Sequence, residues 1–269
     1  MTAADLIHPT AIVSEGAELA DGVEVGPYAV VGPDVRLGRG TNVGAHAHLS
    51  GPAEFGEGNR IFPHAVLGLE PQDLKYRGER SELVIGRNNT IREYVTINPG
   101  TEGGGMVTRI GDGSLFMVGA HVAHDCQIGD HVVMANNATL GGHVVIEDYA
   151  VLGGLCAVHQ YVRIGRHAMI GGMSGVERDV IPYGQVMGDR ARLCGLNIIG
   201  MQRRGFSRED IQGLRNAYQF LFAADGTLSD RVNETAERFG GFGPIDDVIE
   251  FIRADSSRAI CQPKGADGG

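Results

Sequence analysis

Residues 110–140 read IGDGSLFMVGAHVAHDCQIGDHVVMANNATL, with an apolar side chain at every sixth position. Outward from this stretch, the same period covers three runs, from Ile7 to Leu67, from Ile85 to Ile97, and from Ile110 to Val176. All 26 positions that the period selects are apolar. Neither the 3.6-residue period of a helix nor the alternation of a single strand produces this spacing. The pattern therefore indicates an internal repeat.

The other positions of the repeat are typical of short strands joined by tight corners. Four residues after each apolar position there is almost always Ala, Val, Ser, Thr or Cys, and the residue before that is most often Gly, Asn, Asp or His. These last four types most readily adopt φ > 0. Three units predict a triangular coil of 18 residues, and stacked coils form a parallel β-helix.

Breaks in the period predict the domain organisation. We expect a β-helix over residues 1–190, with loop insertions at 68–84 and 98–109, and a C-terminal helical domain over residues 191–269. The second insertion is glycine-rich, and its composition fits a loop without a function as well as it fits a functional loop. The first insertion carries a dense set of polar residues and is the better functional candidate, because insertions in solenoids often collect on the binding face.

Helix signals appear only after Pro182. Ser207 is typical of a helix N-cap, with Asp210 three residues later in a weak capping box. A second helix is predicted over residues 228–239, and a third after Pro244.

Composition limits the class of protein. An apolar content of 42% excludes wholesale disorder, and a formal net charge of −10 argues against nucleic acid as a partner. No apolar run reaches the roughly 18 residues of a membrane span, so no integral membrane segment is expected. The start, MTAADLIHPT, lacks a signal segment and the four cysteines lack CxxC spacing. We therefore expect a cytoplasmic protein with reduced thiols.

Residues 18 apart should lie on successive coils, about 5 Å from one another. Chemically active side chains gather in two such columns, His124–Gly142–Gln160 and Asp125–His143–Tyr161, with His121 and His159 beside them. A histidine next to a carboxylate can act as a general base, and a glycine N–H one coil away could face a developing oxyanion. These parts suit acyl transfer to a hydroxyl group.

Other interpretations of these residues exist. Histidines can simply occupy φ > 0 corners, as we expect of His46, His64, His131 and His167, with His46 and His64 forming a ladder. Histidines can also bind zinc, although a prism turns His121 and His124 in different directions. The arginines that precede the helical region, Arg203, Arg204 and Arg208, are either a solvated surface or a fork for a phosphate or an acidic partner.

Nine segments resemble, in order, those of the UDP-N-acetylglucosamine O-acyltransferases that begin lipid A synthesis: HPTAIV, QDLKY, IRE, AHDC, NNATLGGHV, AVHQ, GGMSGV, RRGFS and RNAY. The resemblance covers essentially the whole chain, and QDLKY, AHDC and RRGFSRE together are strongly specific. It implies an all-β left-handed parallel β-helix with a C-terminal α-helical domain, assembled as a homotrimer with active sites between subunits. It also implies transfer of an (R)-3-hydroxyacyl chain from acyl carrier protein to the 3-hydroxyl of UDP-N-acetylglucosamine, with neither metal nor cofactor.

The same resemblance assigns roles to residues of this chain. It implies that His124 is the catalytic base, that Asp125 orients it, and that the Gly142 amide forms the oxyanion hole. Positions matching the sugar and acyl-pantetheine cleft are Gln72, Asp73, Lys75, His121, His143, His159 and Gln160, and those near the nucleotide are Asn197, Arg203 and Arg204.

Gly172 matches the position that sets acyl length, and a glycine there favours a longer chain such as C14. Two residues depart from the family pattern. Ile199 replaces a glutamate near the nucleotide, and Arg190 replaces a histidine at the end of the acyl groove.

Rival functions differ in what they require. A related UDP-sugar N-acyltransferase would carry a large extra N-terminal domain, whereas the repeat begins here at Ile7. Some relatives use a 3-amino sugar as the acceptor, which the sequence leaves open. A carbonic-anhydrase-like metalloprotein would contain zinc, and a non-catalytic scaffold would not need the His/Asp/Gly columns.

Overall fold

The computed structural model describes residues 6–223, 226–254 and 256–264. Most strands contain two residues, as the six-residue repeat predicts. In chain order they are β1 (Ile12–Val13), β2 (Glu18–Leu19), β3 (Glu24–Val25), β4 (Val30–Val31), β5 (Val35–Leu37), β6 (Asn42–Val43), β7 (His48–Leu49), β8 (Ala53–Phe55), β9 (Arg60–Ile61), β10 (Val66–Leu67), β11 (Glu82–Ile85), β12 (Thr90–Ile91), β13 (Thr96–Ile97) and β14 (Val107–Ile110). The later strands are β15 (Leu115–Phe116), β16 (His121–Val122), β17 (Gln127–Ile128), β18 (Val133–Met134), β19 (Thr139–Leu140), β20 (Val145–Ile146), β21 (Val151–Leu152), β22 (Ala157–Val158), β23 (Arg163–Ile164), β24 (Met169–Ile170), β25 (Gly175–Val176), β26 (Gly184–Met187) and β27 (Arg192–Leu196).

These strands form the three walls of a prism. The first sheet has nine strands, from β1 and β4 through β16, β19 and β22 to β25. The second has eight, from β2 to β23, and the third has ten, from β3 to β26 and β27. All pairs within the sheets are parallel except β26 with β27. The prediction of a parallel β-helix followed by helices is therefore confirmed.

Vertical register follows the repeat. Strand β18 pairs with β21 so that Val133 faces Val151, which is one 18-residue turn later. Every apolar position of the period from Val25 to Val176 is buried in the interior of the prism. The small residues that follow, such as Ala29 and Ala120, are buried as well. The interior is thus a stack of large and small apolar layers, whose burial is the main favourable term in folding.

Corners adopt φ > 0, as the sequence indicates, but tyrosine joins the expected residue types. His46 and His64 have φ of 58° and 64°, and their rings stack with centroids 5.0 Å apart. Tyr28 and Tyr94 extend this ladder at its two ends. Stacking against the coil above or below offsets the cost of a left-handed backbone for an aromatic residue. The ladder of His46 and His64 is therefore confirmed.

Both insertions end earlier in the structure than the sequence predicts. Strand β11 begins at Glu82 and β14 at Val107, because both strands are longer than their neighbours and pair with each other along four residues. The first insertion is accordingly residues 68–81, and the second is residues 98–106. A hairpin of β26 and β27 continues the third sheet to Leu196, beyond residue 190.

Four helices follow the hairpin: α1 (Ile198–Arg203), α2 (Arg208–Leu221), α3 (Leu228–Phe239) and α4 (Gly243–Arg253). Ser207 caps α2 in a complete capping box with Asp210, and α3 has the bounds expected from the sequence. A tail then returns to the prism, where buried Asp179 accepts hydrogen bonds from Arg163 Nε and Ser256 Oγ. Among the described residues, no helix combines the length and the apolar character needed to cross a membrane.

Candidate active site

The columns expected from the 18-residue spacing lie on one edge of the prism. This is edge 1–2, where the chain passes from the first sheet to the second at residues 123–126, 141–144 and 159–162. Asp125, His143 and Tyr161 occupy its corners with φ between 61° and 65°. The rings of His143 and Tyr161 stack at 4.4 Å, and His143 N–H donates to the carbonyl of His124.

His124 lies between a carboxylate and a bare backbone. Its Nδ1 is 2.7 Å from Oδ2 of Asp125, which fixes the ring and leaves Nε2 for the cleft. A Cβ placed on Gly142 would be 2.7 Å from this Nε2. Only glycine therefore permits the imidazole to lie against the next coil. The arrangement brings an imidazole, a carboxylate and a bare glycine backbone together, which is a combination that general-base chemistry can use.

Asp125 is held by the second insertion. Its side chain is fully buried, with Oδ1 accepting from Thr101 N–H at 2.8 Å and Oδ2 from the Thr101 hydroxyl at 2.6 Å. The backbone N–H of Asp125 donates to Thr108 Oγ1 at 2.7 Å. A buried carboxylate needs such donors because desolvation disfavours its charge.

A cleft of about 640 Å³ opens in front of His124. Its lining includes all the cleft residues expected from the resemblance, namely Gln72, Asp73, Lys75, His121, His143, His159 and Gln160. The first insertion supplies three of these side chains and the prism supplies the others. Asp73 Oδ1 accepts from Lys75 N–H at 2.9 Å, so the loop is ordered by its own side chains.

Two cleft histidines are biased towards the neutral form. Burial, followed by the charge of neighbouring His124, lowers the pKa of His121 below its ordinary value of 6.5. Burial likewise lowers the pKa of His143, and Asp125 opposes this effect only in part. Neutral imidazoles at these positions can donate hydrogen bonds to a polar substrate without competing for the proton that a base must accept.

The same cluster has the composition of a metal site. Potential ligand atoms of His124, Asp125 and His143 lie within 4.8 Å of one another. However, Asp125 Oδ2 already lies 2.6 Å from the Thr101 hydroxyl and 2.7 Å from His124 Nδ1. A metal ion would have to displace one of these donors, so the observed hydrogen bonds favour the acid–base interpretation.

Other expected site residues occupy different edges of the same chain. Asn197 caps α1 and donates from Nδ2 to the carbonyl of His167, on edge 2–3. Arg204 lies over the ring of Tyr149, 4.4 Å from its centroid, on that edge, and Arg203 is in the last turn of α1. Gly172 lies on edge 3–1. One chain alone therefore does not bring these residues into the cleft of His124.

Comparison with known proteins places the chain in a family. Residues 179–261 match the model of domain 2 of the UDP-N-acetylglucosamine O-acyltransferases, and residues 16–51 and 108–142 match that of the bacterial transferase hexapeptide. The acyl-[acyl-carrier-protein]–UDP-N-acetylglucosamine O-acyltransferase of Anaeromyxobacter sp. (strain K) is 50% identical over 94% of this chain and 98% of its own length. The chain belongs to the UDP-N-acetylglucosamine O-acyltransferase family.

Further members show how far the similarity extends. The enzyme of that name from Paracoccus denitrificans is 51% identical over 74% of this chain and 75% of its own. The structure of LpxA from Acinetobacter baumannii superposes with a TM-score of 0.93, at 39% identity, over 96% of this chain and 100% of that one. The UDP-N-acetylglucosamine acyltransferase of Francisella novicida gives 0.92 at 34% identity, over 97% and 95%. Membership of this family makes the chain an O-acyltransferase.

Some contacts around this cleft could not be expected from the repeat. Asn98 donates from Nδ2 to the carbonyls of Leu69 and Glu70, at the base of the first insertion. Arg258 Nη2, in the tail, is 2.9 Å from His159 Nδ1. Both residues lie outside the three hexad runs or at their ends, so no periodic signal could have found them.

Both departures from the family pattern are visible in the structure. Ile199 is 64% exposed in α1 and offers no polar group near Asn197. Arg190 forms an ion pair with Glu177. That pair lies beside the turn between β26 and β27, whose Ala191 N–H donates to the carbonyl of Gly175.

Proposed function

We propose that this chain transfers an (R)-3-hydroxyacyl group from acyl carrier protein to the 3-hydroxyl of UDP-N-acetylglucosamine, the first step of lipid A biosynthesis. The names of its relatives supply the donor and the acceptor. The hydrogen-bonded Asp125–His124 pair lying against Gly142 is the observation that carries the proposal to this chain's own residues.

The proposed chemistry needs only groups of the chain and its substrates. Nε2 of His124 removes the proton from the sugar 3-hydroxyl, whose oxygen attacks the thioester carbonyl. The Gly142 N–H donates to the tetrahedral oxyanion, and Asp125 stabilises the imidazolium that has formed. Collapse of the intermediate breaks the C–S bond, and His124 returns its proton to the departing sulfur of the carrier.

The acyl chain has a natural path along the outer face of the first sheet. Outward-facing side chains become smaller from His121 through Thr139 and Ala157 to Gly175 on successive coils. The turn between β26 and β27 crosses the end of this path, because a Cβ on Gly175 would be 2.5 Å from the Asp189 carbonyl oxygen. We propose that Gly172, on the same coil as Gly175, borders the path and that a longer chain such as C14 is preferred.

A homotrimer would complete the site. Asn197, Arg203 and Arg204 are on edge 2–3, whereas the cleft is on edge 1–2. Three prisms packed side by side would place edge 2–3 of one subunit against edge 1–2 of the next. The proposed nucleotide contacts therefore come from a neighbouring subunit. The cytoplasmic location expected from the sequence stays a prediction.

The decisive experiment is product analysis with His124→Ala. Purified protein is given a mixture of acyl-carrier thioesters together with both acceptors, the 3-hydroxyl and the 3-amino sugar nucleotide, and products are identified by mass spectrometry. We expect the O-acylated product from the wild type and a loss of about 3 kcal/mol or more of transition-state stabilisation in the variant. His46→Asn, at a corner histidine outside the cleft, is the matched control and should retain activity. Normal turnover by His124→Ala would refute the mechanism.

Mixing two variants, at substrate concentrations at which neither is active alone, tests the shared site. Trimers reassembled from His124→Ala and from the double variant Arg203→Ala/Arg204→Ala should recover roughly a quarter of wild-type activity, because one interface in four then combines two intact halves. No recovery in mixed trimers would show that both halves must come from one chain.

A further inference from the structure

The catalytic carboxylate is held in place by a residue from a segment that interrupts the repeat. Thr101 is 24 positions before Asp125 and more than one coil away in sequence, yet it contacts both carboxylate oxygens. Its N–H meets Oδ1 at 2.8 Å and its hydroxyl meets Oδ2 at 2.6 Å. Thr101 is itself buried, at 4% exposure, so solvent does not compete for these bonds.

The local structure of the second insertion directs Thr101 to this position. Thr101 precedes a short 3₁₀ turn over Glu102–Gly104, and its carbonyl accepts hydrogen bonds from the N–H groups of Gly104 and Met106. Gly104 packs directly on the carboxylate, since a Cβ there would overlap Asp125. The glycine-rich sequence thus serves the close approach of the turn to a buried charge.

Thr101 and His124 share one acceptor atom. Oδ2 receives the Thr101 hydroxyl and His124 Nδ1–H, whereas Oδ1 receives the Thr101 N–H. These three donors fix both the rotation of the carboxylate and the direction from which the imidazole is bound. Without the hydroxyl, the carboxylate would keep, among the residues that the structure describes, only the Thr101 N–H and His124 as donors, and it could turn about its Cβ–Cγ bond.

We propose that Thr101 is a positioning residue of the acyltransferase, which sets the orientation of His124 through the carboxylate of Asp125. This inference rests on the proposed role of His124 as the base. Thr101 does not touch the reacting atoms in this proposal. It acts by holding the carboxylate that holds the base, and a displacement of about 1 Å in such a site can reduce turnover by about two orders of magnitude.

The test compares two buried threonines that contact Asp125 in different ways. Thr101→Val removes the hydroxyl donor to the carboxylate and preserves shape, and Thr101→Ser restores that donor. Thr108→Val is the matched control, because the Thr108 hydroxyl accepts from the backbone N–H of Asp125 and does not touch its carboxylate. For each variant, kcat, both KM values and the thermal midpoint are measured.

We expect Thr101→Val to reduce kcat by about tenfold or more with both KM values nearly unchanged. Thr101→Ser should restore kcat, because it restores the hydroxyl donor to the carboxylate.

Two results would overturn the inference. One is a wild-type kcat in Thr101→Val while His124→Ala is inactive, which leaves the proposed function intact. The other is an equal loss of kcat in Thr108→Val, which would assign the effect to a general loosening of the edge. Full activity in His124→Ala would instead refute the proposed function itself.

Discussion

Substitution of Gly142 by alanine should disable the site by displacing the base. The added Cβ would lie 2.6 Å from Cε1 and 2.7 Å from Nε2 of His124. Carbon and ring atoms in contact are normally about 3.5 Å or more apart, so the imidazole must move by about 0.8 Å. Its Nδ1 is only 2.7 Å from Asp125 Oδ2, so such a movement stretches or misaligns that hydrogen bond.

The expected loss is about 100-fold in kcat, because a misplacement near 1 Å commonly costs that much. A 100-fold loss corresponds to about 2.7 kcal/mol of transition-state stabilisation. Stability should change much less, because Gly142 does not have a positive φ and can accept a side chain without backbone strain.

Steady-state kinetics with the acyl-carrier thioester and the nucleotide sugar, together with a thermal midpoint, measure both quantities. Gly213→Ala in α2 is the matched control, since its new Cβ would be at an ordinary 3.6 Å from Phe242. Wild-type kcat in a folded Gly142→Ala protein would refute the argument that His124 must lie against this backbone. Unfolding of the variant would refute the claim that the strain falls on the histidine.

Three further predictions concern contacts around the site and the tail. Asp179→Ala should lower the free energy of unfolding by about 3 kcal/mol in chemical denaturation, because it leaves the mostly buried Arg163 without its carboxylate partner; a change below 1 kcal/mol would contradict this. Burial, helped by Arg204 and Arg166, lowers the pKa of His167 from 6.5 to about 4, so the unfolded chain binds the extra proton between these values. Stability should therefore fall as the pH decreases from about 6.5 to about 4, and His167→Asn should flatten that slope of the thermal midpoint; an unchanged slope would argue against His167 as its source. Asn98→Ala should raise the substrate KM values more than it lowers kcat, because Asn98 anchors the base of the first insertion, which lines the cleft; unchanged KM values would contradict this role.

Much of the fold follows from the repeat because the repeat is local. Each apolar residue packs against the equivalent residues of the coils directly above and below it. An 18-residue spacing therefore fixes which residues lie over one another. The placement of His124 against Gly142, and of Asp125 beneath His143, required no knowledge of distant contacts. The bounds of α3 could likewise be predicted, since Thr227 and the apolar stripe that follows are local signals.

The insertions were the part that local rules could not resolve. The polar residues of the first insertion favoured a functional role for it, whereas the glycine-rich sequence of the second left its role open. In the structure, the hydroxyl of Thr101 in the second insertion donates to the carboxylate of Asp125. Asn98, the first residue of the second insertion, donates to a backbone carbonyl of the first insertion. Neither contact has a periodic signature, because each joins a loop to a partner chosen by packing.

The sequence by itself therefore determined the prism, its vertical register and the columns that bring His124, Asp125 and Gly142 together. Only the tertiary structure decided which donors surround the buried carboxylate, that Arg258 of the tail reaches His159, and that Arg204 lies on another edge from the cleft. The physical reason is the range of the interactions. The hydrogen bonds between coils and the layered apolar packing repeat with every coil, so the spacing of the residues along the chain predicts them. The path of a loop instead depends on hydrogen bonds and charges that residues far away in the chain provide.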